Sequence, residues 1–412
     1  MPTVDEVHAA LVDSELMTAP AADSQIAAWR DASGERGDEN GDRLVDWLVD
    51  QSELTEFQAA AIKAGHKGPF MLGPYRVRQR IMAGNLGSVY RAVHVELDQP
   101  VSLKVFPSDL KDDEERLARM QREARAGVEI DHPNILRTFQ IGSVGDVYYL
   151  AFQDLLGETL QQRLQRDGAM EPAEAARLLR DAAAALGHLH EKGFVHRDVR
   201  PANMWITPGG VLKLMEFGGV SAAIEGMEED EATTSDTVIG SIDYMAPEQA
   251  ADPHAADNRS DIYSLGCTAY HCLAGEKPFR EKNPIRLTMK HATELPPALK
   301  EWIPGVPEKL SDAVDAMLAK DPAERFQNAQ DVIWALEEHF DTSEKRSDET
   351  PQASEEFLKW AGSPENPQHE RVHESRTPKL AGFLHWLADK HPAALPGAIF
   401  GSALVHLGAG HS

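Results

Sequence analysis

The chain has 412 residues, 42% of them hydrophobic and 26% charged, and its 67 acidic against 41 basic side chains give a formal charge of -26. That length buries at least one sizeable core and leaves room for more than one folded unit. The acid excess repels nucleic acid and anionic lipid over most of the surface, which argues against nucleic-acid partners and disfavours a membrane role.

The first 70 residues carry short helical patterns, Val4, Val7 and Leu11, then Leu44, Trp47 and Leu48, separated by the acidic, glycine-containing stretch SGERGDENGD. They predict a small N-terminal helical module over 1–70. The opening MPTVDEVHAALVDSE has acids where a secretory signal has a basic cluster and an apolar run, so a cytoplasmic location is expected. From Tyr75, YRVRQRIM, SVYRAVHV and VSLKVF alternate in the manner of half-buried strands. Helical periodicity then dominates over Glu114–Val128, Glu171–Lys192, Asp261–Leu273, Lys309–Leu318 and Ala329–Phe340, with few strand runs between. Cys267 and Cys272, the only two cysteines, lie in an apolar segment without metal-ligand partners and read as small buried hydrophobes. Residues 341–378 are polar and proline-punctuated, the composition of a disordered linker, and 379–412 form an apolar tail with no formally charged side chain from His391 onward. Pro392, Pro396 and many glycines make that tail a poor spanning segment.

Between the first two strand patterns, IMAGNLGSV is placed to fold over phosphates, since Gly84 and Gly87 let backbone N–H groups approach anionic oxygens. Alone the pair is a weak signal, better read as a simple hairpin turn. It is followed by Lys104 on a strand and by Glu123 on a helix, a cation for phosphate and the carboxylate that a buried ammonium needs.

With HRDVRPANMWI, MEFGG and APE further on, the chain resembles a protein kinase of the bacterial serine/threonine type over about Tyr75 to Phe340, the motifs standing in family order at compatible spacings. The resemblance implies an α+β, bilobal fold with a small β-rich lobe, a large helical lobe, and ATP with Mg²⁺ in the cleft between them. It implies Asp198 as the base that orients a Ser or Thr hydroxyl of a protein substrate. Lys104, held by Glu123, would sit on the phosphates, with Arg200 beside them and Asn203 and Glu216 as metal ligands. Nucleotide contacts are implied for Met82, Gly84, Gly87, Val89, Ser102, Lys104, Phe152, Gln153, Leu155 and Trp205, with Phe152 leading into a hinge at Gln153-Asp154-Leu155. Structural roles follow for Glu248 paired with Arg325 and for Asp261 beneath the catalytic loop. The N-terminal stretch LVDWLVDQSELTEFQ resembles, more weakly, the helical lead-in of planctomycete-type kinases, where a partner could dock.

The chain also departs from the family it resembles. Arg200 replaces a lysine, Met82 replaces the first loop glycine, and Glu216 sets the metal carboxylate one methylene further out. Gly127 stands where an apolar residue would pack between the lobes. Trp205, two residues past Asn203, either takes the place of adenine together with Met215 and Phe152 or points into the large lobe as core. The acidic segment IEGMEEDEATTSD around Thr233, Thr234 and Ser235 stands where phosphorylation orders such loops, and its carboxylates could substitute in part for phosphate. Three functions stay open on the sequence: an attenuated protein kinase, a pseudokinase scaffold or allosteric regulator, and a kinase of small metabolites.

Overall fold

The computed structural model describes residues 2–33, 40–66, 70–82, 87–106, 117, 127–145, 147–215, 242–340, 342, 346, 348 and 350–362. Four helices open the chain: α1 (Val4–Asp13), α2 (Ala19–Ser33), α3 (Gly41–Asp50) and α4 (Glu56–Lys63). Thr3 with Glu6 and Thr55 with Gln58 form capping boxes that satisfy first-turn N–H groups of α1 and α4.

A six-stranded antiparallel sheet follows, in the order β1-β2-β3-β4-β6-β5. Its strands are β1 (Met71–Leu72), β2 (Tyr75–Met82), β3 (Ser88–His94), β4 (Gln99–Val105), β5 (Thr138–Val144) and β6 (Val147–Gln153). The three strands expected from alternation match β2, β3 and β4. Strand β6 went unread because VYYLAF is a continuous apolar run, a pattern that suits a buried helix as well as a buried strand. Gly87 enters β3 at φ +127, and a Cβ there would lie 2.5 Å from the Val105 carbonyl oxygen, so neither the backbone conformation nor the space admits a side chain.

The N-terminal helices are not a separate body. Val7, Leu11, Leu44, Leu48 and Phe57 share one core with Tyr75, Val77, Tyr90, Leu103 and Tyr149 of the sheet. Gln58 Nε2 donates to the Val77 carbonyl at 3.0 Å and Thr55 Oγ1 to that of Arg78 at 2.5 Å, tying α4 along β2. The sequence places a boundary between 70 and 75, whereas the packing runs through it.

The large lobe holds a short sheet, β7 (Glu158–Thr159), β8 (Met204–Ile206) and β9 (Leu212–Leu214), in that order. Around it stand α5 (Leu160–Asp167), α6 (Pro172–Glu191), α7 (Pro247–Ala251), α8 (Asn258–Ala274), α9 (Pro284–Thr293), α10 (Leu299–Trp302), α11 (Glu308–Met317) and α12 (Ala329–Glu337). Helix α8 is buried on every side from Ser260 to Leu273, with its polar side chains enclosed along with the apolar ones, and Cys267 and Cys272 are buried and reduced on it. Gly266 lets α11 approach: a Cβ there would sit 2.7 Å from Cβ of Met317.

After α12 the chain returns to the small lobe. Arg346 pairs with Asp181 at 2.9 Å and Asp348 with Lys213 at 2.8 Å, both on the large lobe. Helix α13 (Glu355–Ala361) then lies on the sheet, with Phe357 fully buried, its ring 5.0 Å from that of Phe139, and Trp360 4.2 Å from His94. This corrects the reading of the whole of 341–378 as disordered linker: Phe357, Leu358 and Trp360 give an otherwise polar stretch one apolar face, and that face is covered. Among the described residues no helix is long and apolar enough to cross a membrane. The tail at 379–412 lies outside the described residues.

Candidate active site

Between the lobes, the loop from α6 to β8 carries His196 to Asn203. Its frame is Asp261, a fully buried carboxylate in the first turn of α8, which accepts from the backbone N–H of His196 at 2.8 Å and of Arg197 at 2.7 Å and faces His190 Nε2 at 2.8 Å. Arg197 is held at φ +66, an uncommon conformation for a side-chain-bearing residue. Asp261 takes its N–H and Gln249 Nε2 donates to its carbonyl at 2.8 Å, so both sides of the strained residue are fixed. His196 Nδ1 accepts from the Asp198 N–H at 3.2 Å, which puts the ring proton on Nε2, where it meets the Met215 carbonyl at 2.9 Å. The ring thereby joins the 196–203 loop to the end of β9.

Asp198 emerges from this frame with a side chain 12% exposed. Asn203 Nδ2 donates to its Oδ2 at 2.7 Å and to its backbone carbonyl at 2.9 Å, and Arg200 Nε lies 3.1 Å from Oδ1. Two donors from one short loop therefore aim a carboxylate whose remaining lone pairs can accept a hydroxyl proton. Because the amide of Asn203 turns its donor end to Asp198, its oxygen is the end left for a hard cation, which fits the oxygen ligation that Mg²⁺ prefers.

Lys104 sits on β4 opposite Val89 and Leu150, with its ammonium 5.5 Å from the Phe106 ring centroid. Its expected partner Glu123, and with it Gly84, Glu216 and the segment 224–236, lies outside the described residues. Val89, Phe152, Leu155, Trp205 and Met215 make a third apolar cluster, separate from the cores of either lobe, with Ile81, Met82, Leu136 and Leu150 at its margin. Trp205 is thus not large-lobe core. Its neighbours Met204 and Ile206 belong to that core, and the alternation of a strand sends Trp205 the other way. The indole Nε1–H donates to the Leu156 carbonyl at 2.7 Å.

The segment 153–156 has its polar groups engaged by side chains. Ser102 Oγ accepts from the Leu155 N–H at 3.1 Å, Arg91 Nη2 donates to the Leu155 carbonyl at 2.6 Å, and Arg91 Nε holds Asp154 at 3.0 Å. Gln153, buried, donates its N–H to the Arg137 carbonyl at 2.9 Å. Sequence reading placed Asp154 in the hinge without its bonds to Arg91 and Ser102, and missed Arg91. The available signal was register, since Arg91 and Ser102 are cross-strand partners on β3 and β4.

Glu248 and Arg325 form the ion pair that the resemblance implies, with Nη1–Oε1 2.7 Å and Nη2–Oε2 2.9 Å. Burial by itself would raise the Glu248 carboxyl, but hydrogen bonds from Arg325 and Ser260 outweigh it and hold the pKa below the ordinary value. Nearby, Asp243 is raised by burial, against the opposing ammonium of Lys277.

A family model described as the protein kinase domain matches residues 75–335. The chain is 32% identical over 295 residues to the serine/threonine-protein kinase PrkC of Bacillus subtilis (strain 168), covering 71% of this chain and 44% of that one. It is 34% identical over 266 residues to the serine/threonine-protein kinase PknA of Mycobacterium tuberculosis (strain ATCC 25618 / H37Rv), covering 63% of this chain and 60% of that one. The crystal structure of the Mycobacterium tuberculosis PknI kinase domain is similar at TM-score 0.51 and 26% identity, covering 65% of this chain and 97% of that one. The chain spans about half the length of the curated relatives it matches. The two-lobed architecture, the loop around Asp198 and the matched 75–335 together place this chain in the protein kinase family.

Proposed function

We propose that the chain transfers the terminal phosphoryl group of ATP to Ser or Thr hydroxyls of proteins. The observation that carries this reading is Asp198, gripped by Asn203 at 2.7 Å and Arg200 at 3.1 Å on a loop fixed by buried Asp261. Phosphoryl transfer asks little covalent chemistry of the protein and much positioning. Asp198 accepts the hydroxyl hydrogen bond and orients the attacking oxygen. Arg200 and Lys104 supply positive charge to the phosphate oxygens, and Arg200 also limits how Asp198 turns. The Asn203 oxygen and Glu216 are the groups that would hold Mg²⁺, which supplies charge neutralisation on the polyphosphate when bound. The longer reach of Glu216 and the side chains filling the cleft attenuate turnover. A second reading, a pseudokinase that binds partners without turnover, draws on the same filled cluster around Trp205.

The test is transfer of labelled phosphate from ATP with Mg²⁺, to the chain itself and to a generic basic protein acceptor, for the full-length chain and Asp198→Asn. Incorporation that falls at least a hundredfold in Asp198→Asn, with nucleotide affinity nearly unchanged, supports the kinase. No incorporation by the wild-type chain with Mg²⁺ or Mn²⁺ supports the second reading.

A further inference from the structure

We infer that the chain holds its nucleotide by the polyphosphate end and discriminates weakly between bases, because its own side chains occupy both the plates and the edge that a purine would use. This rests on the reading of the cleft as a nucleotide site.

A bound purine needs apolar surfaces against its two faces and fixed donors and acceptors along one edge. Among the described residues the inter-lobe apolar surface is the Val89, Phe152, Leu155, Trp205 and Met215 cluster, each residue no more than 7% exposed. Within it stands an indole, a planar bicycle of nearly purine size, and its N–H is bonded to the Leu156 carbonyl as an exocyclic amine of a base would be. The neighbouring edge is closed in the same way. The Leu155 N–H goes to Ser102 Oγ, while the Leu155 carbonyl takes Arg91 Nη2. Asp154 braces both partners, with Oδ1 3.3 Å from Ser102 Oγ and 3.0 Å from Arg91 Nε. The brace is cross-strand, since Arg91 and Ser102 face each other in register on β3 and β4.

Entry of a base exchanges apolar contacts for apolar contacts, and trades hydrogen bonds already made within the chain, the one from the Arg91 guanidinium charge-assisted, for neutral ones, a trade with no net gain. Strong rejection of a wrong ligand arises when it leaves buried polar groups unpaired, and here those groups already have partners within the chain. The polyphosphate end differs. Lys104 and Arg200 offer charge-assisted bonds, roughly twice as strong as neutral ones. Affinity therefore resides with the phosphates, and Ser102 and Trp205 are the residues that set base selectivity.

The test is calorimetric titration of the full-length chain, in Mg²⁺, with ATP, GTP and inorganic tripolyphosphate, repeated on a Ser102→Ala/Trp205→Leu variant whose fold is checked by circular dichroism. The expected result is that the three ligands bind the wild type within about threefold of one another, and that the variant gains about tenfold or more for ATP over both others. A wild type that prefers ATP to GTP by tenfold or more overturns the inference while leaving the kinase reading in place, and this needs no variant to fold. An equal gain for tripolyphosphate in the variant also overturns it, since that would be general opening of the cleft. Silence of the wild type toward all three overturns it too. The variant then separates the two claims: ATP binding there keeps the nucleotide site, and silence there removes it as well.

Discussion

Asn203 holds Asp198 twice, donating from one amide nitrogen to the carboxylate at 2.7 Å and to the backbone carbonyl at 2.9 Å. The grip spans five residues, so the loop between them is a closed ring of covalent and hydrogen bonds. Asn203→Ala opens it and frees the carboxylate to rotate. Phosphoryl transfer is expected to fall on the order of a hundredfold in kcat, since misplacement by about 1 Å costs that much. Steady-state kinetics at saturating ATP checks this, and a change confined to KM would argue against it.

Arg200 touches both Asp198 and the space before it, with a side chain 15% exposed. Arg200→Lys keeps the charge and gives up the planar fork, so activity should stay within about tenfold of wild type. Arg200→Ala removes charge that acts where the transferred group becomes most anionic, and a loss of about a hundredfold or more is expected. Equal losses in the two variants would make the fork, and not the charge, the working feature.

The Glu248–Arg325 pair, with Arg325 Nη1 also on the Arg259 carbonyl at 3.0 Å, joins α7 to the turn before α12. Arg325→Met strands a half-buried carboxylate and should cost about 3–5 kcal/mol in urea unfolding. Glu248→Gln/Arg325→Met should be less destabilised than the sum of the single changes, which a double-mutant cycle measures.

His271 is pushed down to about 4 and His291 to about 3, in both cases by burial first and then by a neighbouring ammonium, Lys277 or Lys320. Tyr244 and Tyr263 hydroxyls face their Nδ1 atoms at 2.7 Å and 3.0 Å. Unfolded imidazoles take up protons below their ordinary value of about 6.5 while the folded ones do not, so the unfolded state binds more protons there. Stability is therefore complete above about pH 6.5 and declines as pH falls toward about 4 and then about 3. Urea midpoints at pH 7.0, 5.5 and 4.5 should fall in that order, and the slope should be shallower in His271→Asn/His291→Asn.

Phe357 is fully buried against Phe139 and His94. Phe357→Ala should destabilise the small lobe by about 3–5 kcal/mol. Hydrogen exchange would show it as faster opening of β5 and of residues 355–361, with α8 little changed.

Legibility in the sequence followed the distance over which each contact is made. Asp198, Arg200 and Asn203 are neighbours in the chain, so their spacing alone carries their mutual geometry. The Asp261 frame and the Glu248–Arg325 pair are distant contacts, readable only through the family resemblance. Trp205 could not be assigned from pattern, because β8 has three residues, all buried, and alternation needs one exposed face to show itself. The bond between Ser102 and Leu155 crosses 53 residues and depends on β4 lying beside β6, which no local signal states. Helix α13 failed for a compositional reason: its apolar face is only a few residues wide and sits among charges and prolines, so it looks like linker until the sheet beneath it is known.

That helix has a consequence for the order in which the protein is made. Tyr149 of β6 completes its strand about 200 residues before Phe357 and Trp360 leave the ribosome, yet all belong to one core. At about 5–20 residues per second, Tyr75, His94 and Phe139 wait roughly 10–60 s for the cover that touches them in the finished protein. During that interval the small lobe is a sheet with part of one apolar face open, the state in which chaperones and misfolding compete for it. The N-terminal helices emerge before the sheet and can pack against it as it grows. The small lobe is thus begun before the large one and completed after it, and a translational pause or truncation between residues 350 and 355 leaves the small lobe, not the large one, incomplete.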